Sequence, residues 1–222
     1  MALSDKEVLE ERATGNIIID PFDRESLNTS SYDVRLGEWF FREQEPIRYR
    51  SIYNPWNEND VRAVWGKAEQ AKLACDTLDE SDLAKEGICQ NDKVFIIRPG
   101  ETVLAHTEEF IGARRRITTM MKARSSLGRN FIEVCKCAGW GDVGFFNRWT
   151  MELTNNSRYY NIPLVVGRRI GQIVFFRTGE VEGAEYSAGG KYQNSTNIDE
   201  LKRGWTPKAM IPRLWKDREI RR

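Results

Sequence analysis

Short apolar runs dominate the chain, and few of them repeat at helical spacing. At the start, residues 4–14 predict a helix: Ser4 can cap it, Glu7 three residues on completes a capping box, and Gly15 can end it. Asn16–Pro21 reads as an apolar strand closed by a proline turn. Ser31–Phe41 reads as a second strand, aromatic and β-branched, with Asp33 inside it as a solvated or Arg-paired acid. Further on, Val94–Phe110 places two apolar runs around Pro99-Gly100, a hairpin signal. Residues 114–123, 148–154, 162–166 and 169–179 each predict a further strand. Many short strands with few helices predict a mainly β fold, a barrel or jelly roll.

Residues 52–92 depart from this pattern. Val61, Val64, Trp65, Ala68 and Leu73 fall near helical spacing across 59–78, and 79–87 predicts another helical turn. The segment reads as a partly helical insertion anchored on the main body by its tryptophans. A Gly-containing tail (186–196) follows the last strand. Residues 197–222 are amphipathic and basic at the end, which predicts a place on the surface or against a neighbouring subunit.

Composition narrows the function classes. With 222 residues, 30% of them charged, and a net charge of +1, the chain suits one domain with extensions and has no overall field to attract nucleic acid or an anionic membrane. No apolar run reaches the length of a bilayer span, and the charged start does not resemble a secretory signal. Cys75, Cys89, Cys135 and Cys137 form no C-x-x-C pair, so reduced thiols and a cytoplasmic location are expected. The single histidine argues against triads that need a partnered His and rules out multi-His metal sites. His106-Thr-Glu108 matches the H-x-E half of the zinc-deaminase signature, but the P-C-x-x-C half is missing and Cys135-Lys-Cys137 has the wrong spacing. No zinc is expected, and His106 reads as a strand-end histidine.

Candidate chemistry concentrates in residues 122–156. Arg124, Ser125, Ser126, Leu127, Gly128 and Arg129 put two guanidinium groups and two hydroxyls in six residues, as phosphate binding requires. A basic surface turn paired with nearby acids has the same composition, and both readings stand. Ala138–Gly144 is a glycine-punctuated bend around Trp140 and Asp142, an ordinary turn acid or a ligand for a sugar hydroxyl or water. Glu152 shares a strand face with Arg148, Thr150 and Thr154, while Trp149, Met151 and Leu153 point the other way. Periodicity alone makes that face solvent-facing; if it lines a cleft, Glu152 can serve as a general base. From the residues alone, this is a polyphosphate-binding β protein with two candidate acids.

The order of motifs resembles the dCTP deaminase / dUTPase superfamily: Ser31–Leu36, Arg124–Arg129, Ala138–Phe145, Arg169–Ile173 and Gly190–Gln193 follow its sequence of motifs, over about residues 4–195. Thr150-Met151-Glu152-Leu153 is similar to the T-x-E-L pattern of the deaminases, and Ala138-Gly-Trp140 to the bifunctional enzymes that continue to dUMP. The resemblance implies a distorted jelly roll or β-barrel of dUTPase-like type over residues 1–196, with a short N-terminal helix, the 52–92 insertion and a C-terminal extension at 197–222.

It also implies zinc-independent deamination of dCTP, with Glu152 activating the water, Ser125 and Arg129 positioning water and phosphates, and the Ala138 backbone holding water and base. Asp142 would contact the sugar and assist attack on the α-phosphate. Lys191, Tyr192 and Gln193 would close over the triphosphate, supported by Gln172 and Tyr186. Arg124, Ser126, Leu127, Gly128, Trp140, Thr150 and Met151 would complete the substrate site. Mg²⁺ would arrive through the phosphates of dCTP or dUTP with no direct protein ligand. A homotrimer with intersubunit sites is implied, without a nucleic-acid or membrane partner. The alternatives are a dUTP pyrophosphatase and a non-catalytic nucleotide-binding regulator. Cys135 and Cys137 depart from the His and Thr of the deaminases, as do the length and sequence of the ending.

Overall fold

Strand after strand in this chain is apolar on both faces, and the structure shows what covers each. The computed structural model describes residues 1–46, 52–193, 195–217 and 219. The strands are β1 (Ile17–Asp20), β2 (Tyr32–Arg42), β3 (Glu69–Gln70), β4 (Lys72–Leu73), β5 (Lys93–Ile97), β6 (Thr102–Ala113), β7 (Ile117–Ala123), β8 (Ile132–Val134), β9 (Trp140–Gly141), β10 (Phe146–Asn155), β11 (Ile162–Val165) and β12 (Arg169–Arg177). The helices are α1 (Asp5–Ala13), α2 (Glu58–Trp65), α3 (Glu80–Leu83), α4 (Ser125–Arg129) and α5 (Ile198–Gly204). Among the described residues, none of the helices is long and apolar enough to cross a membrane.

Nine strands form one sheet in the order β8-β10-β6-β2-β12-β7-β9, with β1 also on β6 and β3 on β2; β11-β5-β4 form a second sheet. Register shifts at Leu36/Phe40, Arg148/Thr150 and Arg169/Gly171 interrupt the ladders. Such irregularities raise the local twist, which lets a sheet curl around its own core. The expected mainly β class is what forms. Inside it pack Tyr32, Val34, Val103, Ala105, Ile111, Trp149, Met151, Leu153, Ile173 and Phe175. The helix at the N-terminus has the predicted capping box: the Ser4 hydroxyl accepts from the Glu7 N–H, and the Glu7 carboxylate accepts from the Ser4 N–H at 2.9 Å.

Two expectations fail. The predicted helical region over 59–78 is α-helical only to Trp65, because Gly66 at φ 61° ends α2, and β3, β4 and a single 3-10 turn at Ala74–Asp76 follow. Glu69–Gln70 pairs with Trp39–Phe40 of β2, so a free sheet edge overrides helical spacing. The insertion does anchor through Trp65, which packs with Phe41, Val61 and Leu104, whereas Trp56 stays exposed. The turn at Pro99-Gly100 joins no hairpin: β5 pairs with β4 and β11, and β6 with β1, β2 and β10. The turn passes the chain from one sheet to the other, because both strands find better partners elsewhere.

The C-terminal extension lies on the surface, one of its two expected places, packed on the outer face of its own chain's sheet. On the outer face of β6, Leu104, His106 and Phe110 stand in a row. Leu201 of α5 packs with Phe110 and Phe146, and Met210 and Ile211 pack with Phe41, Val61 and Leu104. Between these two clusters lies Trp205, whose ring centroid is 4.6 Å from that of His106. Positions 218 and 220–222, at the end of the predicted extension, lie outside the described residues.

His106 is therefore a buried mid-strand residue. Its Nδ1 donates to the Thr107 carbonyl at 2.8 Å, and its Nε2 accepts from the Trp39 N–H at 3.2 Å. A Cβ at Gly37 would stand 1.9 Å from the ring, so the absence of a side chain there makes room for it. Burial lowers the His106 pKa to about 4. Before the extension, the tail docks through Gln193, whose Oε1 accepts from the Phe146 N–H at 2.8 Å and whose Nε2 donates to the carbonyls of Gly144 at 3.0 Å and Ser195 at 3.1 Å.

Two measurements test this packing. As pH falls below about 6.5 the unfolded chain protonates His106 while the folded chain does not, so stability is lost from there down to about pH 4. The difference in urea-unfolding free energy between the unaltered chain and His106→Gln should shrink by about 3 kcal/mol between pH 7 and pH 4; a constant difference would contradict a neutral buried ring. Gln193→Ala leaves a buried N–H and a buried carbonyl unpaired, at about 1–3 kcal/mol each. Its unfolding free energy at pH 7 should drop by about 2–6 kcal/mol, and no drop would contradict the docking.

Candidate active site

The polar row of β10 faces β6 in register: Glu152 opposite Leu104, Thr150 opposite His106, and Arg148 opposite Phe110. Trp149, Met151 and Leu153 fill the core on the other face, as alternation predicts. The row is not solvent-facing. With Ala138, Trp140, Gly141, Asp142, Phe145, Tyr186 and Tyr192, it lines a cavity of about 260 Å³, whose far wall is Ala209, Met210 and Pro212 of the extension.

Burial raises the Glu152 carboxyl above the usual carboxylate range, partly opposed by the cation of Lys136. A carboxylate poised nearer neutrality, and facing a cavity, suits proton transfer. Beneath it the chain makes a strained turn: Cys135, Lys136 and Cys137 adopt φ of 65°, 34° and 68° in succession. Non-glycine residues in this region cost of order 1–3 kcal/mol each and tend to cluster at functional sites. The turn buries the Cys135 thiol against the Met121 sulfur at 3.1 Å and leaves Cys137 exposed. Burial, then the nearby Glu152 charge, pushes the Cys135 thiol pKa up, so this sulfur stays protonated and inert.

The bend glycines have a steric purpose. A Cβ at Gly141 would lie 2.3 Å from the Thr119 hydroxyl and 2.6 Å from the Trp149 ring, so only glycine lets β9 close onto β7 there. This contact sets Trp140 and Asp142 outward, both exposed at the cavity's rim.

The predicted phosphate residues lie elsewhere. Arg124–Arg129 forms the short helix α4 with its N-cap rather than an open turn. Buried Asp33 holds Arg124 at 3.3 Å and Arg169 at 3.4 Å. Gln172 pairs in register with Asp33 and with Lys122, which puts it on the Asp33 side of the sheet. Arg124, Leu127 and Arg169 line a cleft of about 620 Å³, and Gly128 lines another of about 590 Å³ with Cys137 and Trp140. Neither of these larger clefts contains Glu152 or Asp142. Ser125, Ser126 and Arg129 are exposed on α4 and line none of these three clefts. One chain therefore brings together Glu152, Asp142, Ala138, Trp140, Thr150, Tyr186 and Tyr192, and holds the Arg/Ser group with Gln172 apart.

Three further placements matter. The Met151 side chain is in the core, which leaves only its backbone for a ligand. Gln193 points into the body, with its amide committed to backbone partners. Lys191 pairs with Asp217 of the extension, and the Tyr192 hydroxyl accepts from the Arg213 N–H at 3.0 Å. Sequence reasoning assigned no role in the site to Arg148 or to residues 209–212. The period-2 face shared with Glu152 was a signal for Arg148. Nothing in the local pattern of 209–212 signals a cavity wall.

Residues 2–178 match the family described as dCTP deaminase-like. The chain is 34% identical over 196 residues to a protein of Acidothermus cellulolyticus named dCTP deaminase, dUMP-forming, covering 87% of this chain and 90% of the other. Proteins of the same name from Hydrogenobaculum sp. and Methanococcus aeolicus are 37% identical over 185 residues and 30% over 203, covering 82% and 89% of this chain and 85% and 96% of the relatives. Among solved structures, the 2'-deoxycytidine 5'-triphosphate deaminase of Agrobacterium tumefaciens shares the fold at a TM-score of 0.53 and 16% identity, over 80% of this chain and 49% of the other, about half its length. The curled sheet, the acid-lined cavity and these matches together place the chain in the dCTP deaminase-like family.

Proposed function

We propose that the chain deaminates dCTP hydrolytically and carries the product on to dUMP and pyrophosphate. The observation that carries this reading is Glu152, a half-buried acid raised by desolvation and facing a cavity that also holds Asp142. The name shared by the relatives, dCTP deaminase, dUMP-forming, supports it.

Glu152 takes a proton from a water, whose oxygen attacks C4 of cytosine. The same carboxyl passes that proton to ring N3, then moves the proton of the new C4 hydroxyl to the 4-amino group, which leaves as ammonia while the C4 oxygen becomes the uracil carbonyl. Backbone groups at Ala138, at the end of the strained turn, orient water and base. Asp142 then orients a second water toward the α-phosphate, and pyrophosphate leaves. Magnesium, held mainly by the phosphates, neutralises their charge when bound. Among the described residues no group of three or more His, Cys, Asp or Glu side chains is arranged to hold a metal, and Asp142 is the rim carboxylate able to hold one of the ion's waters.

The Arg/Ser group is separated from the acids within one chain, which supports a homotrimer in which α4 of a neighbour completes the cavity. Ser125 and Arg129 are exposed and thus available to such a neighbour.

Purified protein with dCTP and Mg²⁺ should release ammonia and pyrophosphate in equal amounts. Pyrophosphate from dUTP without ammonia from dCTP would mean a dUTP pyrophosphatase, and binding without turnover a regulator. Glu152→Gln should keep dCTP binding and lower ammonia release by roughly 10²–10⁴-fold. Because the base must be ionised, activity should fall with pH through a limb above the ordinary carboxylate range. Lys136→Met should move that limb higher by removing the opposing cation; an unmoved limb would mean that Glu152 is not the titrating base.

A further inference from the structure

Arg148 is a cation on the wall of the acid-lined cavity, without an ion pair or a side-chain hydrogen bond among the described residues. Its guanidinium lies 4.6 Å from the ring centroid of Trp205 and 5.1 Å from that of Phe110. Its Nε is buried without a hydrogen-bond partner among the described residues. Glu108, Glu38 and Glu109 act on it only through space. Each of those acids is already paired, Glu108 and Glu109 with Arg35 and Glu38 with Lys93. The two rings offset part of the cost of desolvating this guanidinium, and with the nearby carboxylates already paired an incoming anion would offset more of it.

The strand sets where that anion lies. Arg148 precedes Glu152 by four residues on the same face, a separation of roughly 13 Å along a strand. That span exceeds a pyrimidine ring. A nucleotide with its C4 at Glu152 would therefore extend its sugar past Thr150 and its phosphates toward Arg148. The tail closes the same end: Asn147 donates to the Tyr192 carbonyl at 3.0 Å, and Lys191 is the adjoining residue.

We infer that Arg148, held in place by Trp205 of the C-terminal extension, is a further substrate-binding residue that takes a phosphate oxygen of the nucleotide whose base faces Glu152. The inference rests on the dCTP reading above and deepens it. Trp205 acts as a positioning residue: it packs against His106 with the ring planes tilted by 50°, and its ring forms one side of the guanidinium slot. Part of the substrate site is thus built by the extension, beyond the span that matches the family.

The test is steady-state ammonia release from dCTP with Mg²⁺, with deoxycytidine as a phosphate-free competitor. Arg148→Met should raise KM for dCTP roughly 10- to 100-fold, as expected for loss of a charge-assisted bond, with kcat within about threefold and the inhibition constant of deoxycytidine unchanged. Arg148→Lys should recover part of the affinity. Trp205→Leu should raise KM in the same direction by a smaller factor, and it tests the proposal should Arg148→Met fail to fold. An unchanged KM in the Arg148 variants, or equal weakening of dCTP and deoxycytidine, would overturn the phosphate contact. Absence of ammonia release from the unaltered protein would instead overturn the reading beneath it.

Discussion

The β6–β10 ladder, with apolar side chains on both of its faces, is the constraint from which the rest of this structure follows. On the inner face, Val103, Ala105, Trp149, Met151 and Leu153 form the main core. On the outer face, Leu104, His106 and Phe110 cannot be left in water without forfeiting roughly 25 cal/mol for each Å² of apolar surface. The C-terminal extension supplies the cover with Leu201, Trp205, Met210 and Ile211. Covering that face turns the polar row beside it into the wall of a cavity.

The chemistry depends on this cover. Glu152 in an open sheet would titrate as an ordinary carboxylate; under Met210 and beside the strained Cys135–Cys137 turn, desolvation raises it. Neutral, buried His106 serves packing: both ring nitrogens are bonded and its face carries Trp205. Trp205 in turn flanks Arg148, so one aromatic residue links the covering layer to the polar row.

Within one chain, the cavity acids and the Arg124–Arg129 group lie apart. The acids line the cavity, while the Arg124–Arg129 helix sits beside buried Asp33 and Arg169 on another face. Two cations flanking one buried carboxylate form a fixed scaffold for α4, and its hydroxyls remain outward.

Local sequence determined the capping box of α1, the existence of most strands, the two-faced alternation of β10 and the identity of its polar row, because each rests on neighbours within a few residues. The order of motifs carried the family, since spacing along the chain survives where single motifs are ambiguous. Tertiary structure alone decided where edges paired. Residues 69–70 left a helical pattern to join β2, and β5 left β6 for another sheet, because hydrogen bonding to a distant strand outweighed local preference. It also decided whether Glu152 would face water or a cavity. Alternation tells which side chains share a face but not what lies against that face; here the cover comes from residues 201–212, 49 to 60 positions beyond Glu152.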